Sequence, residues 1–451
     1  MTAGRRPGHL SQMAPAIAVL VAACGAALAH GGFDRRSWAW SGVIIVCGIA
    51  VALLASRPAR PGSWALATLA VAVVLGGWVF LSAVWSADPA ASLRAGERTV
   101  LYVVALVALL MGSRRLGARR LIVLTGASAL LVVGYALLAT FLPAGPRAQD
   151  PYEGFLLAKP IGYANAIGAI AAIGIVLALG IAASGEQAQV RSGAAGSLCV
   201  FAPALYLSQS RAAWLGLALG LAVTLVLSPD RLRLAAFALC VAPGPVLAVW
   251  LARELHLLGA DGSHGRAFLA AVLALAVATA ALVPALERAL RRPSVVRRAA
   301  ALFAVVAVGA VAAAAVHGFG STGDRTAYWR VARREYEAHP LLGSGAGTFA
   351  RYWSSDRPPG AGGAQNAHSL YVESLAEIGP VGLALVAALF LLPLATGIRS
   401  RSPDAALASG ALVVYLVHAG LDWDWELPAV TLLALACVGV LLALDFRPVD
   451  N

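Results

Sequence analysis

GFGSTGDRTAYWRVARREYEAHPLLGSGAGTFARYW (residues 318–353) is a polar island, and what surrounds it decides the fold. An apolar run ends at residue 317. Downstream, the spacer RPPGAGGA (357–364) leads to QNAHSLYVESLAEIGPVGL (365–383), which opens another apolar run. The island collects Arg, His, Glu, Tyr and Trp between segments rich in Ala, Leu, Val and Gly. Groups so polar, concentrated in one loop of an otherwise apolar chain, mark the place where chemistry is expected, at the boundary of water and lipid.

Working outward, apolar runs recur near 14–30, 37–56, 63–85, 99–112, 121–142, 161–183, 197–209, 212–228, 234–251, 267–284, 299–317, 379–397, 404–420 and 428–445. Hydrophobic residues make up 60% of the chain and charged residues only 12%, about half the charged share of a soluble domain. Mean hydropathy is +0.79. The runs lack the alternation of a membrane β-barrel. The expected fold is therefore all-α, a polytopic transmembrane helical bundle of about 12–14 spans with one large extracytoplasmic loop containing short helices. Several runs are shorter than the ~20 residues that a helix needs to cross hydrocarbon. The pair around Ser208-Gln209-Ser210-Arg211 reads as two helices with a sharp turn or as one bent span. The expected organisation is an N-terminal bundle (1–317), the loop (318–370) and C-terminal transmembrane helices (371–451). The run 14–29 reads as an uncleaved first helix rather than a signal peptide.

The five cysteines (Cys24, Cys47, Cys199, Cys240, Cys437) all lie in apolar runs with no disulfide or metal spacing, and read as packing residues. Lys159 is the only lysine. The net charge of +12 would suggest nucleic acid in a soluble protein. Here most arginines fall in short loops, where they orient the chain, so no nucleic-acid partner is expected. One set of loops carries Arg57 and Arg60; Arg114, Arg115, Arg119 and Arg120; Arg231 and Arg233; Arg288 to Arg298; and Arg399 and Arg401. The positive-inside rule makes that set cytoplasmic, with both termini inside, in a multi-pass protein of the cell (inner or plasma) membrane. The opposite set holds 85–98, 145–160, the Ser208–Arg211 turn, the island and LDWDWELP (421–428). The loop 318–370 keeps six arginines against that bias, which suggests an anionic ligand.

Within the island, Ser321 and Asp324 have the spacing of a helix start, and Arg325, Trp329 and Tyr336 recur at helical spacing. The helix should stop before His339-Pro340 and lie on the membrane with its aromatics at headgroup depth. Arg330, Arg333 and Arg334 then meet lipid phosphates, whereas Arg325, on the Trp329 face, is a functional candidate. Three glycines in HPLLGSGAGTF (Gly343, Gly345, Gly347) could cradle a phosphate. The P-loop pattern is absent, however, and a tight turn explains them better. His368 precedes the next span, with Glu373 and Glu377 after it. A neutral imidazole suits deprotonation of a hydroxyl near pH 7; the plain alternative is a polar anchor. Arg211, in LSQSRAAWLG, has apolar sequence on both sides and is a functional candidate, the alternative being snorkelling to the surface. No hydrolase elbow is present.

The ordered set WSADPAASL (85–93), IGYANAIGAI (161–170), SQSRAAW (208–214), R-x3-W from Arg325, HPLLGSGAGTF and AHSLYVESLAEIGPVGL (367–383) resembles the O-antigen ligase and polymerase superfamily, the WaaL/Wzy-type proteins. The resemblance runs from about residue 80 and is strongest over 321–384. It implies a lipid-linked glycan transferase that needs no metal or other cofactor and works on the extracytoplasmic face. The donor is a glycan on polyprenyl diphosphate; the acceptor is a glycan, lipid or protein; membrane lipids surround both. The family's essential arginines map onto Arg211 and Arg325 and its histidine onto His368, with Trp329, Asn366 and Glu373 as further substrate-binding candidates. Many members carry Asn after that histidine, where this chain has Ser369. Fork-shaped guanidinium groups suit a diphosphate. A polymerase or a protein O-glycosyltransferase would share this scaffold and differ only in acceptor. A glycan or anion transporter would need ionisable groups in mid-membrane, and the spans are nearly free of them.

Overall fold

A computed structural model describes residues 9–55, 61–317 and 325–445. The Ser321–Asp324 helix start and the Arg57 and Arg60 loop lie outside the described residues. The chain is all-α. In order the helices are α1 (His9–Leu28), α2 (Arg35–Ala55), α3 (Ser63–Leu81), α4 (Pro89–Leu116), α5 (Ala118–Phe141), α6 (Ala164–Ser184), α7 (Ala188–Ser208), α8 (Arg211–Leu227), α9 (Arg231–Val241) and α10 (Pro243–Glu254). They continue as α11 (Gly265–Ala289), α12 (Pro293–His317), α13 (Arg325–Ala338), α14 (Phe349–Asp356), α15 (Leu370–Ser400), α16 (Pro403–Ala419) and α17 (Pro428–Ala443). Among the described residues, nine helices are long and apolar enough to cross a membrane, or ten if α9 and α10, bent by 41° at their junction, are counted as one span; α8, α16 and α17 are shorter apolar helices. This is a multi-pass membrane protein.

The 208–211 region is two helices. Ser208 ends α7, Gln209 takes a left-handed backbone (φ 52°), and the Ser210 hydroxyl caps α8 by accepting from the Ala213 amide. Two elements begin earlier than their apolar runs suggest. In α4, Asp88 caps the helix and Pro89 occupies its first turn, the preferred residues at those positions; the segment read as loop 85–98 is therefore largely helix. In α15 the Ser369 hydroxyl accepts from the Val372 amide, and helix runs from Leu370, with a break at Gly379 (φ 68°) before Pro380. These extra turns carry Arg98, Glu373 and Glu377 into the polar end of the bundle.

Small residues and leucines from α1, α4, α5, α6, α16 and α17 make the main core, and α6 and α17 are buried along almost their whole length. At one end the arginine-rich turns are tied together by Arg119–Asp404 (2.9 Å), Arg191–Glu287 (2.6 Å) and Arg399 over the Trp64 ring (4.6 Å). At the other end the longer loops converge: Phe33 meets Trp423 edge-on, Ala87 bonds Ser344, Tyr163 bonds Asp422 and Ser210 meets His418. The two sets of loops thus segregate as the charge pattern predicts.

The island has a small core of its own. Val331 and Ala332 of α13 pack with Phe349 and Trp353 of α14 and with Ala367 and Ala376. The face of α13 expected to meet the membrane is therefore covered by protein. The reason lies in Glu335 on that face, which is fully buried and whose Oε1 accepts from the hydroxyls of Ser344 (2.6 Å) and Thr348 (3.0 Å). Arg330, Arg333 and Arg334 point away, exposed.

Candidate functional site

At the converging end, the turn between α16 and α17 supplies a fully buried carboxylate, Asp422. It accepts from the Tyr163 hydroxyl (2.5 Å), the Asn165 amide (2.7 Å) and the Trp423 backbone (3.0 Å), and pairs with Arg325 at 3.3 Å. Arg325 opens α13, and its side chain is only 22% exposed. Its Nε is buried without a partner among the described residues, and so is the indole Nε1 of Trp329, one turn along the same face. Two buried donors left open beside a cation form the part of this cluster that calls for an acceptor-rich ligand.

His368 stands against this pair. Its ring stacks on Tyr328 (centroids 4.8 Å apart, 16° between planes) and meets the edge of Trp423 at 6.3 Å. Nδ1 lies 3.1 Å from the backbone oxygen of Asn366. A carbonyl only accepts, so the neutral ring carries its proton on Nδ1 and leaves Nε2 as the basic nitrogen. Burial pushes the His368 pKa below its ordinary value; Asp422 pulls it up and Arg325 pushes it down. The residue takes a left-handed backbone (φ 52°), a conformation uncommon outside glycine and typical of residues held for function.

Arg211 is the exposed first residue of α8, beside Ser210. The Ser210 hydroxyl lies 3.2 Å from Nε2 of His418, whose Nδ1 lies 2.5 Å from Asp424. All three are buried. Asp424 is two residues from Asp422, so one short turn, 420–427, fixes both the Arg211 turn and the Arg325 side chain.

The glycine turn 343–347 is no phosphate cradle. The Gly345 amide bonds the Glu377 backbone (2.8 Å), and the amides of Gly347 (2.6 Å) and Phe349 (2.9 Å) bond the Glu377 carboxyl oxygens. The anion in this nest is the protein's own. A Cβ on Gly343 would come within 2.3 Å of the Glu377 backbone, so glycine is required there by the close approach to α15. Glu373 is also engaged: it accepts from the Ala367 amide (2.6 Å) and thereby holds the segment that carries His368. Asn366, buried, lies beside Glu426 in the wall of a neighbouring cavity.

Residues 195–387 match the family model described as O-Antigen ligase. Over this segment the chain is similar to the O-antigen ligases, which supports a place in the O-antigen ligase and polymerase superfamily. Members are membrane enzymes that transfer glycans. The match covers under half of the chain and contains Arg211, Arg325 and His368. No curated protein is significantly similar to the chain. Asp422, which pairs with Arg325, and His418 and Asp424, which hold Ser210 beside Arg211, lie beyond the matched O-antigen ligase segment. Ser369 stands where many O-antigen ligases carry Asn. Its hydroxyl caps α15, a position in which Asn and Ser serve about equally well, so the departure leaves the cap intact.

Sequence reasoning had named Arg211, Arg325, Trp329, Asn366, His368 and Glu373, but not Asp422, His418, Asp424 or Arg98. The signal for Asp422 and Asp424 lies in the stretch LDWDWELP (421–428), three carboxylates among two tryptophans in an apolar chain. Glu153, in the loop that precedes α6, is a further acidic neighbour: burial raises its pKa to about 7, with Asp422 among the causes.

Proposed function

We propose that the protein transfers a polyprenyl-diphosphate-linked glycan to an acceptor hydroxyl on the extracytoplasmic face, at the 318–370 loop. The observation that carries this reading is the Arg325–Asp422 pair, with the open donors of Arg325 and Trp329 beside a histidine whose basic nitrogen is free.

Asp422 holds the guanidinium in place from one side. The unpartnered Nε of Arg325 and the Trp329 indole then donate to oxygens of the diphosphate, and Arg211 approaches from α8. The acceptor oxygen attacks the anomeric carbon of the donor. As that C–O bond forms, the bond between the anomeric carbon and the phosphate oxygen breaks, and its electron pair leaves with polyprenyl diphosphate. The acceptor's proton passes to Nε2 of His368. Charge grows on the leaving oxygen, so fixed donors aimed there stabilise the transition state more than the ground state. Held in place by Asp422, Arg325 needs little reorganisation at that moment. The reaction in this reading needs no divalent metal.

The test is turnover of a polyprenyl-diphosphate-linked oligosaccharide by purified protein in liposomes, with and without EDTA, read as release of polyprenyl diphosphate. Release that depends on Arg325 and persists in EDTA supports the reading. No release, given donor and a mixed acceptor extract, overturns it.

A further inference from the structure

A second cavity, of about 380 Å³, opens on the other side of the 365–368 segment. The start of α2, the first turns of α4 and the island segments around Gly347 and Gln365 enclose it. Its volume falls within the usual range of small-molecule sites, roughly 300–1,000 Å³. It adjoins the transfer site through two links. Asn366 in its wall offers the carbonyl that fixes the His368 tautomer. Phe33, also in its wall, packs on Trp423, whose edge meets His368.

The charges in this cavity nearly balance, because arginines and carboxylates line it together. Many of them are already committed: Arg98 pairs with Glu426 (2.9 Å), Arg35 with Glu97 (2.5 Å), and Glu373 and Glu377 hold backbone amides. Left available among the described residues are the Arg94 guanidinium, the Asp34 carboxylate and the Gln365 amide. With them is Nε of Arg98, buried and without a partner among the described residues. A diphosphate placed here would face Asp34, Glu373 and Glu426. A neutral ligand that both donates and accepts hydrogen bonds at many points suits the mixture better. Trp38 and Phe33 add aromatic surface of the kind that packs on the C–H face of a pyranose ring.

We infer that this cavity is the acceptor subsite and takes a saccharide, presenting its hydroxyl toward His368. The inference rests on the transfer reading for the word acceptor, and on the cavity alone for the word saccharide. Arg94 and Asp34 bind the sugar's hydroxyls, Trp38 packs on its ring, and Asn366 joins the bound sugar to the catalytic imidazole. The donor diphosphate and the acceptor sugar thus approach from opposite sides of the 366–368 segment.

The experiment is saturation-transfer NMR on the full chain in nanodiscs. The probes are methyl glycosides and disaccharides of hexose, deoxyhexose, heptose and N-acetylhexosamine, with sodium pyrophosphate as competitor. At least one probe should bind wild type and Arg325→Ala alike. Pyrophosphate should not displace it, and Arg94→Ala or Trp38→Phe should weaken it tenfold or more. Arg94 is exposed, so its variant should fold. No binding by any probe, displacement by pyrophosphate, or unchanged binding in both variants would overturn the inference. A chain that binds sugar through Arg94 but never turns over a lipid-linked donor would keep the sugar site and sink the transfer reading. A chain that turns over the donor, with an acceptor KM unchanged in Arg94→Ala, would sink the subsite alone.

Discussion

Arg325 and Asp422 are 97 residues apart in sequence and 3.3 Å apart in space. The pair ties the first turn of the island's helix to the last polar turn of the bundle, and it sets the electrostatics of His368, on which both charges act. Asp422 is fully buried and holds four donors, so removing it strands a cation and three neutral donors together.

Asp422→Ala should therefore be severe. Breaking a buried ion pair from one side costs about 3–5 kcal/mol; the partly exposed Arg325 places the expected loss at the low end, and Asp422→Asn should cost less. Because Asp422 raises the His368 pKa, Asp422→Asn should also move the acid limb of the pH–rate profile to lower pH. Thermal unfolding in detergent and a pH profile of donor turnover measure both. An unchanged midpoint and profile would show the pair to be idle.

His368→Ala should leave donor binding nearly intact and reduce turnover by roughly 100-fold or more. The base must be neutral, so the rate rises with pH as the imidazolium loses its proton. Burial lowers that pKa, which places the rise below the ordinary histidine value rather than above it. Glu153, whose pKa is about 7, supplies the control. If Glu153→Gln erases the acid limb while His368→Ala keeps it, the base has been assigned to the wrong residue.

Arg325→Lys and Arg211→Lys should each fail to restore turnover, since an ammonium group lacks the planar fork. The loss of one diphosphate contact should cost about 2–4 kcal/mol of transition-state stabilisation. Arg333→Ala should stay near wild type, because its partner is the exposed Glu337 one turn away. Steady-state kinetics on the three variants decide it; wild-type kcat/KM in both lysine variants would end the joint-clamp idea.

Glu335 links the island's stability to pH. Burial raises its pKa to about 7, against the lowering effect of Ser344 and Thr348. The folded state then holds a proton that the unfolded chain has released above about pH 4.3. The stabilisation is full below that value and fades as pH rises through about 7. Glu335→Gln, neutral throughout, should keep the island packed at pH 8 better than wild type. Hydrogen exchange over 328–353, compared at pH 6 and pH 8, checks this. Equal protection of both proteins at both pH values would refute it.

The island should face outward. Ser355 is exposed on α14. In a background lacking the native cysteines, Ser355→Cys should react with an impermeant thiol reagent in intact cells. Labelling only after lysis would reverse the topology.

The membrane bundle was legible in the sequence because its causes are local. Apolar runs of helical length and arginine-rich turns each act within a few residues, and they marked the helices; the starts of α4 and α15 were missed, because the Asp88-Pro89 and Ser369 caps carry helix beyond the apolar runs. The candidates Arg211, Arg325 and His368 were legible for the same reason: cations and an imidazole in apolar surroundings are costly wherever the chain takes them. What the tertiary structure alone decided is who meets whom. Nothing near residue 325 says that Asp422 will hold it, and nothing near the glycine turn says that Glu377 will fill its ring of amides. Nor does any local feature show that Asn366 will stand between a polar cavity and the His368 ring. A buried charge must find its counter-charge somewhere, but the sequence states only the need; helix packing, which brings the 420–427 turn under the island, supplies the partner.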